Sequence, residues 1–481
     1  MDPTLIGFLL YLVLILIVGF ITVRFTHTLT DYILAGRRLG AWVVAISERA
    51  SGESAWLLIG LPGLAWVSGF SALWPAVGCT FGILFSWVFI AKRLRVDSEK
   101  YSAITLPDFF EARFNDDSRL LRVVSTLSIV FFFTMYVSAQ FLGAGKVLNA
   151  TFGISSLWGM VIGAAIILFY TIMGGFFAVA WTDLFQGLLM VATLVFLPII
   201  ALFEIGGFGA LASKLGAIDP SLLTITEGKT GWEMWSVILG GLTIGLGYMG
   251  QPHLVTRFMA IKDPRDLKKG SLIAVLWAIL AFWGAALVGI LALAIFGREG
   301  IVDQEHVMPL MTTTMFPAAI AGILISGAIA AMMSTADSQL LVSTSAISED
   351  IYHQMMDKKA SQRKLLVISR LATLAVGIVA FLLARAAEET VYKFVLYAWA
   401  GLGASFGPAL LLSLWWKRAT RWGVLSGIVS GTLVVVLWKS VFGLSQYLYE
   451  IVPGFVIAFV LVVVVSLATS PPKQGRFANM R

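Results

Sequence analysis

Charge is what this chain has least of: 13% of its 481 residues are Asp, Glu, Lys or Arg, against 59% hydrophobic. Soluble domains carry roughly 25% charged residues, so an ordinary soluble protein is excluded, and a mean hydropathy of +0.90 points to a polytopic membrane protein. Cysteine is almost absent. Cys79 alone excludes an intramolecular disulfide and reads as a small core residue. Histidine is scarce too: His27, His253, His306 and His353 show no metal-ligand pairing, and no Gly-x-Ser-x-Gly elbow occurs, so an enzyme is the least supported class. No Ser/Gly-rich or Pro-rich linker divides the chain, leaving no room for a separate soluble domain. The first apolar segment has no basic region before it, beginning Met1-Asp2-Pro3, and is expected to persist as a helix rather than be removed as a signal peptide.

Long apolar runs are what the chain has instead. Stretches of about 20 residues predict thirteen helices near 4–25, 41–69, 71–91, 121–148, 155–179, 181–205, 232–256, 271–297, 317–346, 366–387, 391–416, 421–442 and 447–469. With Met1 outside, most of the 34 basic residues fall in inner loops, among them Arg24, Arg37 and Arg38, the group from Lys92 to Arg122, Arg257 with Lys262, Arg265, Lys268 and Lys269, and Lys473, Arg476 and Arg481. This predicts a multi-pass protein of the cell inner (plasma) membrane with the amino terminus outside and the carboxyl terminus cytoplasmic. The net charge of +7 then reflects basic loops facing anionic lipid, and no nucleic acid is invoked. Residues 106–114 read as a short interfacial helix, 206–231 as the largest external loop, and the end from Pro471 as a polar tail.

Two spans are interrupted. Between apolar stretches sits Ser47-Glu48-Arg49-Ala50-Ser51-Gly52-Glu53-Ser54, and further on Gly240-Gly241 and Gly245-Leu246-Gly247-Tyr248-Met249-Gly250-Gln251-Pro252. A bilayer core has no water for free backbone groups, so such breaks survive only inside protein or along a cavity. They lie five helices apart, the spacing expected of an inverted repeat with its site at the midplane. The expected organisation is an extra helix and inner loop at 1–40, repeats at 41–205 and 232–416 separated by the external loop 206–231, and two extra helices with the tail at 417–481. The simpler alternative is that these glycines only permit close helix packing.

Four acids fall within the membrane: Glu48, Glu53, Asp183 and Asp337. Intramembrane charge is costly and marks function by default. Glu48 adjoins Arg49, which could neutralise it or reach another carboxylate, whereas Glu53 has no adjacent base. Ala331, Ser334, Asp337 and Ser338 share one helical face with Thr335 beside it. Hydroxyl, carboxylate and carbonyl oxygens suit a small hard cation such as sodium, with the carbonyls supplied by an unwound segment at Ala50 to Glu53. Hydroxyls that merely bond back to the preceding turn are the plainer reading, and Asp183 reads equally well as a helix cap. Tyr136 and Tyr248 are aromatic groups with a polar handle, more often packing than ligand contacts when taken alone.

The motifs Asp31-Tyr32-Ile33-Leu34-Ala35-Gly36-Arg37, Trp56-Leu57-Leu58-Ile59-Gly60-Leu61-Pro62-Gly63, Gly174 to Asp183, Gly247 to His253 and Tyr397-Ala398-Trp399-Ala400-Gly401 resemble the sodium:solute symporter family along nearly the whole chain. The resemblance implies an all-α polytopic membrane protein of about thirteen transmembrane helices with a five-plus-five inverted-repeat (LeuT-type) core. It implies a symporter that imports a small organic solute, proline or a similar amino acid, by alternating access with sodium (Na+), working as a monomer in the lipid bilayer. Carried over, the sodium position comprises Ala50, Glu53 through its carbonyl, Ala331, Ser334 and Thr335. A second cation or proton position comprises Asp183, Asp337 and Ser338 with Ser334. Ser54, Trp56, Tyr136, Tyr248 and Pro252 are the substrate contacts, with Ile244 and Gln251 beside them. Three positions depart from the family pattern: Gly52 stands for an aspartate, Ile244 for a tryptophan and Asp337 for a hydroxyl residue. These departures leave open a proton-coupled route through Glu53 or Asp337, and a sensor or channel that keeps the fold is the alternative of another class.

Overall fold

The computed structural model describes residues 2–23, 29–173 and 175–470. Arg24, His27, Gly174 and the tail from Pro471, with Lys473, Arg476 and Arg481, lie outside the described residues. The principal helices are α1 (Pro3–Val23), α2 (Ala41–Gly52), α3 (Leu61–Ser68), α4 (Leu73–Phe85), α5 (Leu106–Phe114), α6 (Leu120–Phe152), α7 (Ser156–Met173) and α8 (Phe176–Glu204). They continue as α9 (Gly231–Leu242), α10 (Pro252–Ala260), α11 (Leu267–Phe296), α12 (Ala318–Ser345), α13 (Gln362–Ala386), α14 (Val391–Trp415), α15 (Arg421–Val436) and α16 (Ile451–Ala468). Among the described residues there is no β-strand, only an isolated bridge between Leu39 and Ile261.

Local chemistry sets the boundaries. The short helix α5 starts where Thr105 Oγ1 accepts from the Asp108 amide at 3.1 Å, with Pro107 in its first turn, and stops at left-handed Asn115. Helix α8 starts after extended Gly175, so Asp183 lies in its third turn. The reading of Asp183 as a helix cap is therefore wrong: the helix starts at Phe176, five residues before the boundary at 181 drawn from hydropathy.

Ten helical stretches among the described residues are long and apolar enough to cross a membrane. One, Trp56–Lys100, runs from the second half of the first interrupted span through the expected span 71–91, with a tight turn at Gly69. The remaining expected spans are helical but shorter: α2, α7, and the pair α9 and α10. Helix α1 turns Leu10, Val13, Ile17 and Phe20 outward, as a lipid-facing helix should. Central α12 is buried on nearly every side, packed by α8, α1 and α6.

Glycines set the distance between α4 and the second interruption. A Cβ on Gly82 would lie 2.2 Å from Gly245 O, and one on Gly78 would lie 2.3 Å from Leu242 O. On the opposite side, Gly250 packs on the backbone of Gly407 and Gly403 packs on Gly247. The glycines thus serve close packing and the break together; the two readings of the sequence are not exclusive. Gly82→Ala should destabilise the folded protein by about 1–3 kcal/mol, read as a lower thermal midpoint in detergent. Gly240→Ala, with open space at its Cβ, should not.

Candidate functional site

The first interruption is narrower than expected. Helix α2 remains regular to Gly52, with the Glu53 amide on Arg49 O at 3.0 Å, and non-helical backbone is confined to Glu53 and Ser54 before the chain turns helical again. The carbonyls freed are those of the last turn. Ala50 O accepts from Ser334 Oγ at 2.9 Å and Ser51 O from Thr335 Oγ1 at 3.0 Å, both hydroxyls coming from α12. Ser51 O also lies 3.1 Å from His253 Nε2 of α10, and the Ala55 amide donates to Gln140 Oε1 of α6 at 3.1 Å. Each of these main-chain groups is matched by a side chain from another helix, as a water-poor interior requires.

The second interruption is a tight helical turn over Thr243–Met249, followed by extended Gln251 and then Pro252 at the start of α10. Here Trp399 of α14 is the partner. Its Nε1 donates to Ile244 O at 2.9 Å, and its carbonyl accepts from Gln251 Nε2 at 3.0 Å.

Of the expected cation ligands, the structure brings Ala50, Ala331, Ser334 and Thr335 together: Ser334 Oγ lies 2.9 Å from Ala50 O and 3.1 Å from Ala331 O. The Glu53 side chain goes elsewhere. Arg49, four residues back, reaches Glu53 Oε1 at 2.8 Å and holds Glu48 through two contacts, one of them Nε to Oε2 at 2.6 Å. Glu53 therefore does have a base within reach, because α2 stays helical through both residues. Tyr248 OH donates to the same Glu53 oxygen at 2.8 Å, and Trp87 Nε1 to Glu48 at 3.0 Å.

The expected second position is crowded. Asp183 Oδ2, Ser338 Oγ and Ser51 Oγ converge with Ser51 Oγ 2.9 Å from each of the others, and Arg257 sits on all three. Arg257 is thus no inner-loop residue. Helix α10 carries it past the end of the hydropathy-drawn span, fully buried and ion-paired with Asp183 at 2.8 Å. Asp337 lies beside Ser338, 3.2 Å from its hydroxyl, and its other oxygen has no hydrogen-bond partner.

Among the expected substrate contacts, Ser54 Oγ and Tyr136 OH are 3.4 Å apart, and Tyr248 and Tyr136 both pack edge-on against Trp399 at 4.7 and 6.5 Å. Ile244, Gln251 and Pro252 join this group through Trp399 and the second break. Trp56 stands slightly apart, against Phe282 and Tyr392. Tyr392 also lines a cavity of about 500 Å³ bounded by Ser68, Glu227, Lys439 and Glu450, so it touches both Trp56 and that cavity. Glu305, buried, takes the amides of Val391 and Tyr392 and pairs with Lys146 at 2.6 Å, fixing Tyr392 in place. Asp303 shares Lys146; partial burial works to raise its carboxyl, but the lysine and the Glu305 amide hold it below the usual range.

Ser47, Ser51, Gln140, His253, Arg257 and Trp399 were missing from the expected site. Ser47 and Ser51 are four apart on α2, and that spacing alone would have found them as one face. Arg49→Ala should destabilise the protein by about 3–5 kcal/mol by leaving buried carboxylates without a partner, whereas replacing Glu48, Arg49 and Glu53 together by Ala, Met and Met should restore most of the thermal midpoint.

The sodium:solute symporter family profile matches residues 32–431. The high-affinity proline transporter PutP of Bacillus subtilis is 41% identical, covering 96% of this chain and 97% of that protein. The sodium/proline symporter of Escherichia coli is 42% identical over 99% of this chain and 96% of that one. A solved Na+-coupled sialic acid symporter superposes with a TM-score of 0.81 over 99% of this chain and all of the other; at 21% identity that likeness concerns the fold alone, and it bears out the all-α, LeuT-type architecture. A nucleobase-cation-symport-1 family transporter matches more loosely, with a TM-score of 0.57 at 14% identity. The relatives are transporters and not enzymes. With the profile spanning most of its length and curated relatives aligned nearly end to end, this chain belongs to the sodium:solute symporter family.

Proposed function

We propose that this symporter imports proline or a similar small amino acid together with sodium, by alternating access between repeats 41–205 and 232–416. The observation that carries the reading is the meeting of the first broken helix with α12, where the freed Ala50 and Ser51 carbonyls are held by Ser334 and Thr335 hydroxyls. When sodium enters, these four oxygens turn from bonding one another to ligating the ion, which ties α2 to α12. The cargo then lies between Ser54, Tyr136 and Tyr248, beside the Trp56–Tyr392 pair. The driving force suffices: one charge moving through 100 mV releases about 2.3 kcal/mol.

Uptake of labelled proline and other amino acids into proteoliposomes tests this reading. Accumulation should need an inward sodium gradient and collapse when that gradient is dissipated; uptake that follows a proton gradient without sodium would favour coupling through Asp337, whose Oδ2 is buried and unpartnered. Ser334→Ala and Thr335→Ala should each raise the half-saturating sodium concentration about tenfold, equivalent to ~1.4 kcal/mol, with little change in substrate affinity at saturating sodium. An unchanged sodium dependence would remove both hydroxyls from the ion's coordination.

Thirteen spans with the amino terminus outside and the carboxyl terminus cytoplasmic complete the proposal. A fluorescent protein fused after Arg481 should fluoresce inside the cell, and alkaline phosphatase inserted at the exposed turn around Gly228 should be active outside. The opposite pattern would invert the topology.

A further inference from the structure

Three buried polar atoms around the Tyr136–Trp399–Tyr248 group have no protein partner, and all three are acceptors. Glu53 Oε1 takes Arg49 Nη1 and Tyr248 OH, both at 2.8 Å, whereas Oε2 of the same fully buried carboxylate has no hydrogen bond. Gln251 donates through Nε2 to Trp399 O, which leaves its Oε1 unpartnered. His253 Nε2 stands against Ser51 O; a carbonyl can only accept, so in the neutral ring the proton is on Nε2 and the unpartnered Nδ1 is an acceptor too. The aromatic group connects the three. Tyr248, bonded to Glu53, packs edge-on against Trp399, which holds Gln251, and Tyr136 packs edge-on against both Trp399 and His253.

Charge says what would satisfy them. Glu48 is used in full: Arg49 reaches both its oxygens, and Trp87 Nε1 adds a third contact at 3.0 Å. Glu48 and Glu53 share the single Arg49 guanidinium, and among the described residues neither forms an ion pair with another base. One negative charge is therefore left over, and it falls to Glu53, whose second oxygen is bare. Burial makes such a charge costly until a cation meets it. A bare metal ion needs a shell of oxygens in place of its water, and here one carboxylate oxygen and one amide oxygen stand among ring edges. An ammonium needs only one acceptor for each N–H, and its hydrocarbon part packs well on aromatic rings.

We infer that Glu53 selects the cargo by its amino end: Oε2 accepts an N–H of the solute's ammonium group, and Gln251 Oε1 takes a second. The solute class is thereby an amino acid with at least one N–H on its charged nitrogen, and fully N-methylated betaines are excluded. The inference rests on the amino-acid reading above, and its test separates the two. Displacement of labelled L-proline is measured on the purified full-length protein at saturating sodium. The competitors are L-proline and N,N-dimethylproline, which has the same ring and carboxylate but no N–H. The parent should hold dimethylproline about 100-fold or more weakly than proline. Glu53→Gln should weaken proline about 10- to 100-fold and leave dimethylproline unchanged, so that the two affinities converge. A purely structural Glu53 would cost both ligands alike. Equal losses, an unchanged proline affinity in Glu53→Gln, or equal affinities in the parent each overturn the inference and spare the amino-acid reading. No displaceable proline on the parent overturns that reading and this inference with it. Should Glu53→Gln aggregate, Glu53→Asp keeps the charge, draws the oxygen back by one methylene, and must show the same one-sided loss.

Discussion

Two main-chain carbonyls without helical partners, deep in a hydrocarbon environment, dictate the arrangement of this protein. Ala50 O and Ser51 O cannot be left bare, since an unpaired polar group away from water costs several kcal/mol. The structure answers with hydroxyls on the buried helix α12, where Ser334 and Thr335 stand side by side. The Gln140 amide on α6 and the His253 ring on α10 meet the neighbouring groups. A polar network of this kind could have been avoided by an unbroken helix.

Charge follows the same plan across the two interruptions. Each broken helix contributes one fully buried arginine. Arg49 of α2, through Glu53, reaches Tyr248 in the second interruption; Arg257 of α10 reaches Ser47 and Ser51 on α2. The two breaks are thereby braced against each other in both directions. Bracing by buried ion pairs adds little net stability, because desolvation offsets the attraction. It does fix geometry, and a binding site made at two chain discontinuities has need of that.

Much of this was legible in the sequence, for reasons that differ from residue to residue. Helices and breaks could be read because hydropathy and glycine placement act locally; Ser334 and Thr335 could be read because a helical face is set by spacing. Arg257 could not. A count of basic residues assigns to a loop any arginine beyond the apolar window, and the window closed at 256 although α10 continues to Ala260. Asp183 was drawn near a helix start because hydropathy runs unbroken across Gly175, and only backbone geometry places the cap there. Glu53 seemed to lack a base because none adjoins it in sequence; the helix unwinds only after Gly52, so the four-residue spacing brings Arg49 onto it.

These contacts also limit how the site can open. Helices α2 and α10 are tied by Arg257 and His253, and the start of α2 and the end of α10 are joined again where Leu39 pairs with Ala260 and Lys262. Breaking that set would strand a buried guanidinium, so the two broken helices are expected to move as one body. The contacts toward α12 are of a different kind: two neutral hydroxyl-to-carbonyl bonds, each contributing about 0.5–1.5 kcal/mol net. Trp56 against Tyr392 on the cavity side is likewise a packing contact without charge. The weak seams of the molecule thus run between the broken pair and α12, and between the buried cluster and the cavity. An ion bound at the proposed position between Ala50 and Ser334 would act directly on the first of these, where little energy is needed to bias a conformational equilibrium.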